Sequence, residues 1–158
     1  MSAALPSDVR LLDGAFDPAA LVAAFARDCP QAGGVVSFIG QVRAEADAAD
    51  PCEALELTHY APLTLPGMEA LAADARGRWA LDGLLVCHRV GVMVPGDPIV
   101  LVAAAARHRR DAFAAVDFVM DHLKSQSWFW KREKRAGQWR WIEPRGQDHA
   151  DLARWGGA

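Results

Sequence analysis

Two apolar runs, residues 83–94 (GLLVCHRVGVMV) and 98–106 (PIVLVAAAA), flank Pro95-Gly96-Asp97 and constrain the fold more than any other feature of the chain. Neither approaches the ~20 apolar residues needed to span a bilayer, and the turn signal between them reads them as two strands of a hairpin. Further strands are expected at 8–12, at 33–43 (GGVVSFIGQVR) and at 53–60 (EALELTHY), with a small, acidic, mobile loop over 44–51. Asp17-Pro18 supplies an N-cap carboxylate followed by a proline that fits the first helical position, so a helix starts there. Cys29-Pro30 stops it. Residues 66–81 put Met68, Leu71, Ala72, Ala75 and Trp79 on one helical face. Residues 111–125 do the same with Phe113, Val116, Met120 and Leu123. Residues 128–134 and 138–143, joined through Ala136-Gly137, read as a final hairpin. Strands and helices mixed in this way, with two hairpins, predict a single α+β domain over 1–158 with mostly antiparallel pairing. The segment 145–158 is polar and is expected to be a flexible tail on which only Trp155 could dock.

With 52% hydrophobic residues in 158, the chain can bury a real core in one domain. The formal charge of -3 argues against general polyanion binding. Cys29, Cys52 and Cys87 are odd in number and widely spaced, with no CxxC, which suits a reducing compartment and not a disulfide framework. Residues 1–10 lack the charged-then-apolar pattern of a signal peptide, so the expectation is a soluble, cytoplasmic protein.

Against this slightly negative background, residues 124–135 (KSQSWFWKREKR) concentrate cations and three consecutive aromatics. A positive, partly apolar wall suits a small anionic, ring-containing ligand. Lys124 closes the 111–125 helix, where a lysine also complements the helix dipole and can pair with Asp121. Lys131 follows Trp128-Phe129-Trp130, and a lysine desolvated by aromatics is suited to proton transfer or nucleophilic work. Its ordinary alternative is an edge-strand charge that discourages sheet pairing, the reading preferred for Lys134 and Arg135. A second basic cluster, Arg107-His108-Arg109-Arg110, falls at a strand-to-helix junction, where unpaired helical N–H groups favour anions. His108 could act there as acid, base or donor to phosphate, and Arg107 and Arg110 read as a solvated turn. Arg43 ends an apolar strand just before the loop. His59, His88, His122 and His149 show no metal-ligand spacing, and Cys87 and His88 should point to opposite faces of one strand. No phosphate-loop or dinucleotide motif occurs, so neither a metal nor a cofactor is expected.

These residues resemble the catalytic large subunit of molybdopterin synthase, from about residue 8 to residue 145. The matching stretches are 33–43, LTHYAP and PGMEALAADARGRW within 57–79, CHRVGVMVPGDPIVLV (87–102), RHRRDAF (107–113) and FVMDHLKSQSWFWKRE (118–133). The resemblance implies an α/β hammerhead-type domain with an additional antiparallel β-sheet. It also implies an enzyme that adds two sulfurs to cyclic pyranopterin monophosphate, forming the molybdopterin dithiolene. The sulfur comes as a thiocarboxylate on the C-terminal Gly-Gly of a small ubiquitin-like carrier subunit, in a heterotetramer built around a homodimer of large subunits. By the same resemblance Lys124 and Lys131 are the catalytic lysines, with Lys131 also binding substrate. Arg43, His108 and Arg109 bind the anion, Glu133 supports a neighbouring cation, and neither nucleic acid nor membrane is involved. The chain departs from the family at Ala61-Pro62-Leu63-Thr64-Leu65, expected as a loop insertion before Pro66, and at Thr58, where an acidic residue is common.

Two other readings compete. Aromatics interleaved with lysine and arginine can stack bases and hold a phosphate backbone, so residues 124–135 could belong to a nucleic-acid-binding module. A non-catalytic assembly subunit would instead use its apolar surface for dimer and partner contacts alone.

Overall fold

The computed structural model describes residues 7–45, 49–125, 128–143 and 146–156. Residues 46–48 of the acidic loop, Gln126 and Ser127 of the basic-aromatic segment, and Pro144, Arg145, Gly157 and Ala158 lie outside the described residues.

In chain order the elements are β1 (Asp8–Leu12), α1 (Pro18–Asp28), β2 (Gly34–Gln41), β3 (Ala54–His59), α2 (Ala61–Arg78) and β4 (Leu81–Arg89). They continue as β5 (Gly91–Met93), β6 (Pro98–Ala106), α3 (Arg109–Ser125), β7 (Phe129–Arg135), β8 (Gln138–Ile142) and α4 (Gly146–Ala153). Two four-stranded sheets result, ordered β1-β4-β6-β2 and β5-β3-β7-β8. Among the described residues only β1 with β4 is parallel, so the expected α+β architecture with mostly antiparallel pairing is what the chain adopts.

The first sheet explains why β4 and β6 read as continuous apolar runs. It is covered on both faces, and strands buried on both faces cannot alternate with polar residues. Leu84, Val86, Val102 and Ala104 pack with Met68, Leu71 and Ala75 of α2 and Val116, Phe118 and Val119 of α3. Leu85, Cys87, Leu101 and Ala103 point the other way, onto Phe25 and Cys29 at the end of α1. Asp17 caps α1 as its sequence implies, accepting a 3.1 Å bond from the Ala20 amide with Pro18 in the first turn. The second sheet has a smaller core of Val42, Leu55, Leu57 and Met93, with Ile99 against it.

Three local readings change. The run 83–94 is not one strand: Gly91 has φ +94°, a left-handed conformation that glycine adopts without a Cβ penalty, and there the chain leaves one sheet for the other. The β4–β6 pair therefore has β5 interposed, and β5 pairs with β3. The segment 61–65 is not a loop but the beginning of α2. Pro62 fits the first helical turn, whereas Pro66 lacks the N–H that would bond the Pro62 carbonyl. Tertiary contact compensates, because Thr64 is fully buried and its hydroxyl donates to the Trp128 carbonyl at 2.8 Å. The tail also folds: residues 146–153 form α4, and Trp155 packs edge-on against Phe118 and Trp79, with ring centroids 5.3 and 5.8 Å away. Its indole N–H donates to Asp121 at 2.6 Å. Among the described residues, no helix is long and apolar enough to cross a membrane.

Candidate active site

A cavity of about 650 Å³ opens where the two sheets meet. Its apolar wall comes from Val100 of β6, Leu55 and Leu57 of β3, Met120 and Leu123 of α3 and Phe129 of β7. Strand alternation on β7 sends Lys131 and Glu133 to the same face as Phe129. Lys124, in the last turn of α3, enters from the helical side, and Arg43 follows β2 at the far rim. Trp130, Trp141 and Ile142 complete the mouth. The structure thus brings together Arg43, Lys124, Lys131 and Glu133, which the sequence scatters over ninety positions.

Glu133 is the organiser of the β7 side. Its Oε1 lies 3.4 Å from Lys131 Nζ, and its Oε2 accepts from Arg135 at 2.9 and 3.1 Å. Arg135 is therefore not the solvated edge charge expected. Its side chain is 17% exposed, and it also reaches Glu45 and the Asp50 carbonyl across the loop. The Arg135 guanidinium holds the Glu45 carboxyl below its ordinary value. Among the described residues the cavity is not simply basic: Arg43, Lys124 and Lys131 face Glu45, Glu133, Glu143 and Asp148, three cations against four carboxylates.

His88, whose sequence spacing fits no metal site, nevertheless forms part of the cavity wall. It is 7% exposed and stacks on Phe129 with centroids 4.0 Å apart and planes 18° from parallel. Its Nδ1–H donates to the Arg89 carbonyl at 3.0 Å, which leaves Nε2 with its lone pair. Burial above all, and then the nearby charge of Lys124, push its pKa down to about 4, so the imidazole is neutral. The available signal is its parity: Cys87 faces α1, so His88 must face the other side, towards β7.

His108 and Arg109 do not join this cavity within one chain. With Gly33, Arg107 and Arg110 they line a separate, shallower depression of about 350 Å³ at the start of α3. In the β2–β6 ladder, Gly34 pairs with Ala106 at that end and Gly40 with Val100 at the cavity end. Six residues of strand put the two roughly 20 Å apart. Among the described residues, no three His, Cys, Asp or Glu side chains converge as a metal site.

The family model described as MoaE protein matches residues 11–126. The chain belongs to the MoaE protein family. The molybdopterin synthase catalytic subunit of Caulobacter vibrioides is 46% identical over 147 residues, 93% of this chain and 96% of that protein. The subunit of the same name from Ralstonia nicotianae is 45% identical, covering 94% and 84%. Among solved structures, the molybdopterin biosynthesis MoaE protein from Burkholderia ambifaria superposes with a TM-score of 0.79 at 41% identity, over 96% of this chain and 99% of that one. Staphylococcus aureus molybdopterin synthase shares the fold, with a TM-score of 0.72 at 23% identity.

Proposed function

We propose that this MoaE family chain is the catalytic subunit of a molybdopterin synthase. It transfers sulfur from the thiocarboxylated C-terminus of a small ubiquitin-like carrier to cyclic pyranopterin monophosphate. The observation that carries the reading is the convergence of Lys124, Lys131 and Arg43 on one cavity that also has an aromatic and aliphatic wall. Such a cavity fits a substrate that is half ring and half phosphate. Arg43 holds the phosphate through its planar fork. The carrier's thiocarboxylate sulfur attacks an electrophilic carbon of the pyranopterin and displaces an oxygen substituent there, and water then cleaves the acyl C–S bond, which leaves the sulfur on the pterin and returns the carrier's carboxylate. Lys124 serves this step as proton donor and acceptor or as transient acyl acceptor, and Lys131 stabilises developing negative charge. Glu133 fixes where Lys131 points.

The corner bearing His108 and Arg109 enters the reaction through a second copy of the chain. β2 is an edge strand with Val35, Phe38 and Ile39 exposed. A two-fold axis across it exchanges its ends, setting the partner's corner beside Arg43. With two carriers the assembly is a heterotetramer. The reaction belongs in the cytoplasm, in keeping with three cysteines that are free and buried. The nucleic-acid alternative gains no support, because the cations converge in a concavity shared with carboxylates and do not track a groove.

The test is reconstitution with thiocarboxylated carrier and cyclic pyranopterin monophosphate, assayed for molybdopterin. Wild type should form product, while Lys124→Ala should lose sulfur transfer and keep its fold and carrier binding. Near-normal turnover by Lys124→Ala removes that residue from the chemistry, and no product from folded wild type removes the function.

A further inference from the structure

The cavity has a charge problem. An anion is to be held where, among the described residues, carboxylates outnumber cations four to three. The structure contains a device that solves it. One guanidinium, that of Arg135, takes Glu45 with both terminal nitrogens, Nη1 to Oε2 at 2.6 Å and Nη2 to Oε1 at 2.5 Å. It takes Glu133 with Nε and Nη2, both on Oε2. The Asp50 carbonyl accepts a further bond from Nη1. Two of the four cavity carboxylates are thereby turned to the same cation, and only one oxygen of Glu133 remains for Lys131.

We infer that Arg135 is a positioning residue for sulfur transfer: by holding Glu45 and Glu133 it keeps Lys131 and Arg43 available to the substrate phosphate. This deepens the function proposed above and rests on it for the identity of the substrate. Arg135 lies two residues from Glu133 and four from Lys131 on one face of β7, so the three form a line leading out of the cavity. Arginine suits the position because a planar fork satisfies two carboxylates at once, which a lysine ammonium cannot do in the same geometry. Removing it has two effects. Glu133 is free to close on Lys131 with both oxygens, and Glu45, two residues from Arg43, turns an unneutralised charge towards the phosphate site.

The experiment compares wild type, Arg135→Gln and the double variant Arg135→Gln/Glu45→Gln with two readouts. The first is the affinity for inorganic phosphate, followed by the fluorescence of Trp130 and Trp141 at the cavity mouth. The second is the steady-state turnover of cyclic pyranopterin monophosphate. Arg135→Gln should weaken phosphate binding ~10-fold and raise KM by a similar factor, since an unscreened unit charge several ångströms away acts at that scale. The loss should shrink at high salt, and adding Glu45→Gln should restore most of it. A purely structural ion pair would lower thermal stability without this charge rescue. Equal phosphate affinity in wild type and Arg135→Gln, or failure of Glu45→Gln to restore it, overturns the inference. Wild type that binds phosphate with this Arg135 dependence but makes no molybdopterin upholds the role of Arg135 and overturns the function. Normal turnover kinetics in Arg135→Gln do the reverse.

Discussion

His88 makes the fold sensitive to acid in a way that can be worked out from its surroundings. An imidazole that titrates near 6.5 when exposed is pushed to about 4 here, chiefly by burial against Phe129 and secondarily by the charge of Lys124. The unfolded chain therefore binds a proton at this position across a window where the folded chain does not. The neutral ring contributes its full stability above the unfolded value, and that contribution is lost as pH falls from about 6.5 towards 4. Between about pH 7.5 and about pH 5 the loss is about 2 kcal/mol, a large share of the stability of an ordinary domain. The assay is urea unfolding at the two pH values for wild type, His88→Asn and His88→Phe. Asparagine can still donate to the Arg89 carbonyl and phenylalanine can still stack on Phe129, and neither titrates. Both variants should show a pH dependence smaller than that of wild type by about 2 kcal/mol, whatever their absolute stability. Three equal slopes would refute the reasoning and place the acid sensitivity elsewhere.

Two further outcomes are expected. Thr64→Val removes the bond to the Trp128 carbonyl at a fully buried position and should lower unfolding stability by about 1–3 kcal/mol in urea titrations. It should also impair sulfur transfer, because Trp128 leads directly into β7. Mixing inactive Arg109→Ala with inactive Lys124→Ala under conditions of subunit exchange should restore about one quarter of wild-type turnover, since half the dimers become mixed and each carries one intact site. No recovery would show that His108 and Arg109 do not act across the dimer.

Much of the fold follows from local chemistry. The Asp17-Pro18 start of α1, the strand at 8–12 and the Ala136-Gly137 turn, where both residues have positive φ, depend on neighbours in sequence and are readable there. What the local pattern hides depends on distant contacts. Pro66 argues locally against a helix that reaches back to Ala61, and α2 starts early because Thr64 is anchored to Trp128 sixty-four residues away. The tail looks too polar to order, yet Trp155 finds an aromatic slot between Trp79 and Phe118. The strand break at Gly91 is hidden because residues on both sides are apolar for separate reasons, one set facing the helices and the other facing β3. The site shows the same division. Arg43, Lys124, Lys131 and Glu133 stand out as charges beside apolar segments, and the fold gathers them. Arg135 resembles any edge-strand charge until Glu45 is seen opposite it. The roughly 20 Å that separates His108 and Arg109 from the cavity is a property of strand register alone.

The unequal cores of the two sheets carry a consequence for how activity fails. The β5-β3-β7-β8 sheet is held by a handful of buried side chains, whereas the first sheet is clamped between helices on both faces. Sub-global opening is cheapest where few apolar groups are buried, so the second sheet is expected to open at a lower free energy than the first. Every such excursion separates Lys131 from Lys124, because the two lysines belong to opposite sides of the seam. If the two lysines act together as proposed, activity is expected to fade on warming before the helical signal in circular dichroism does.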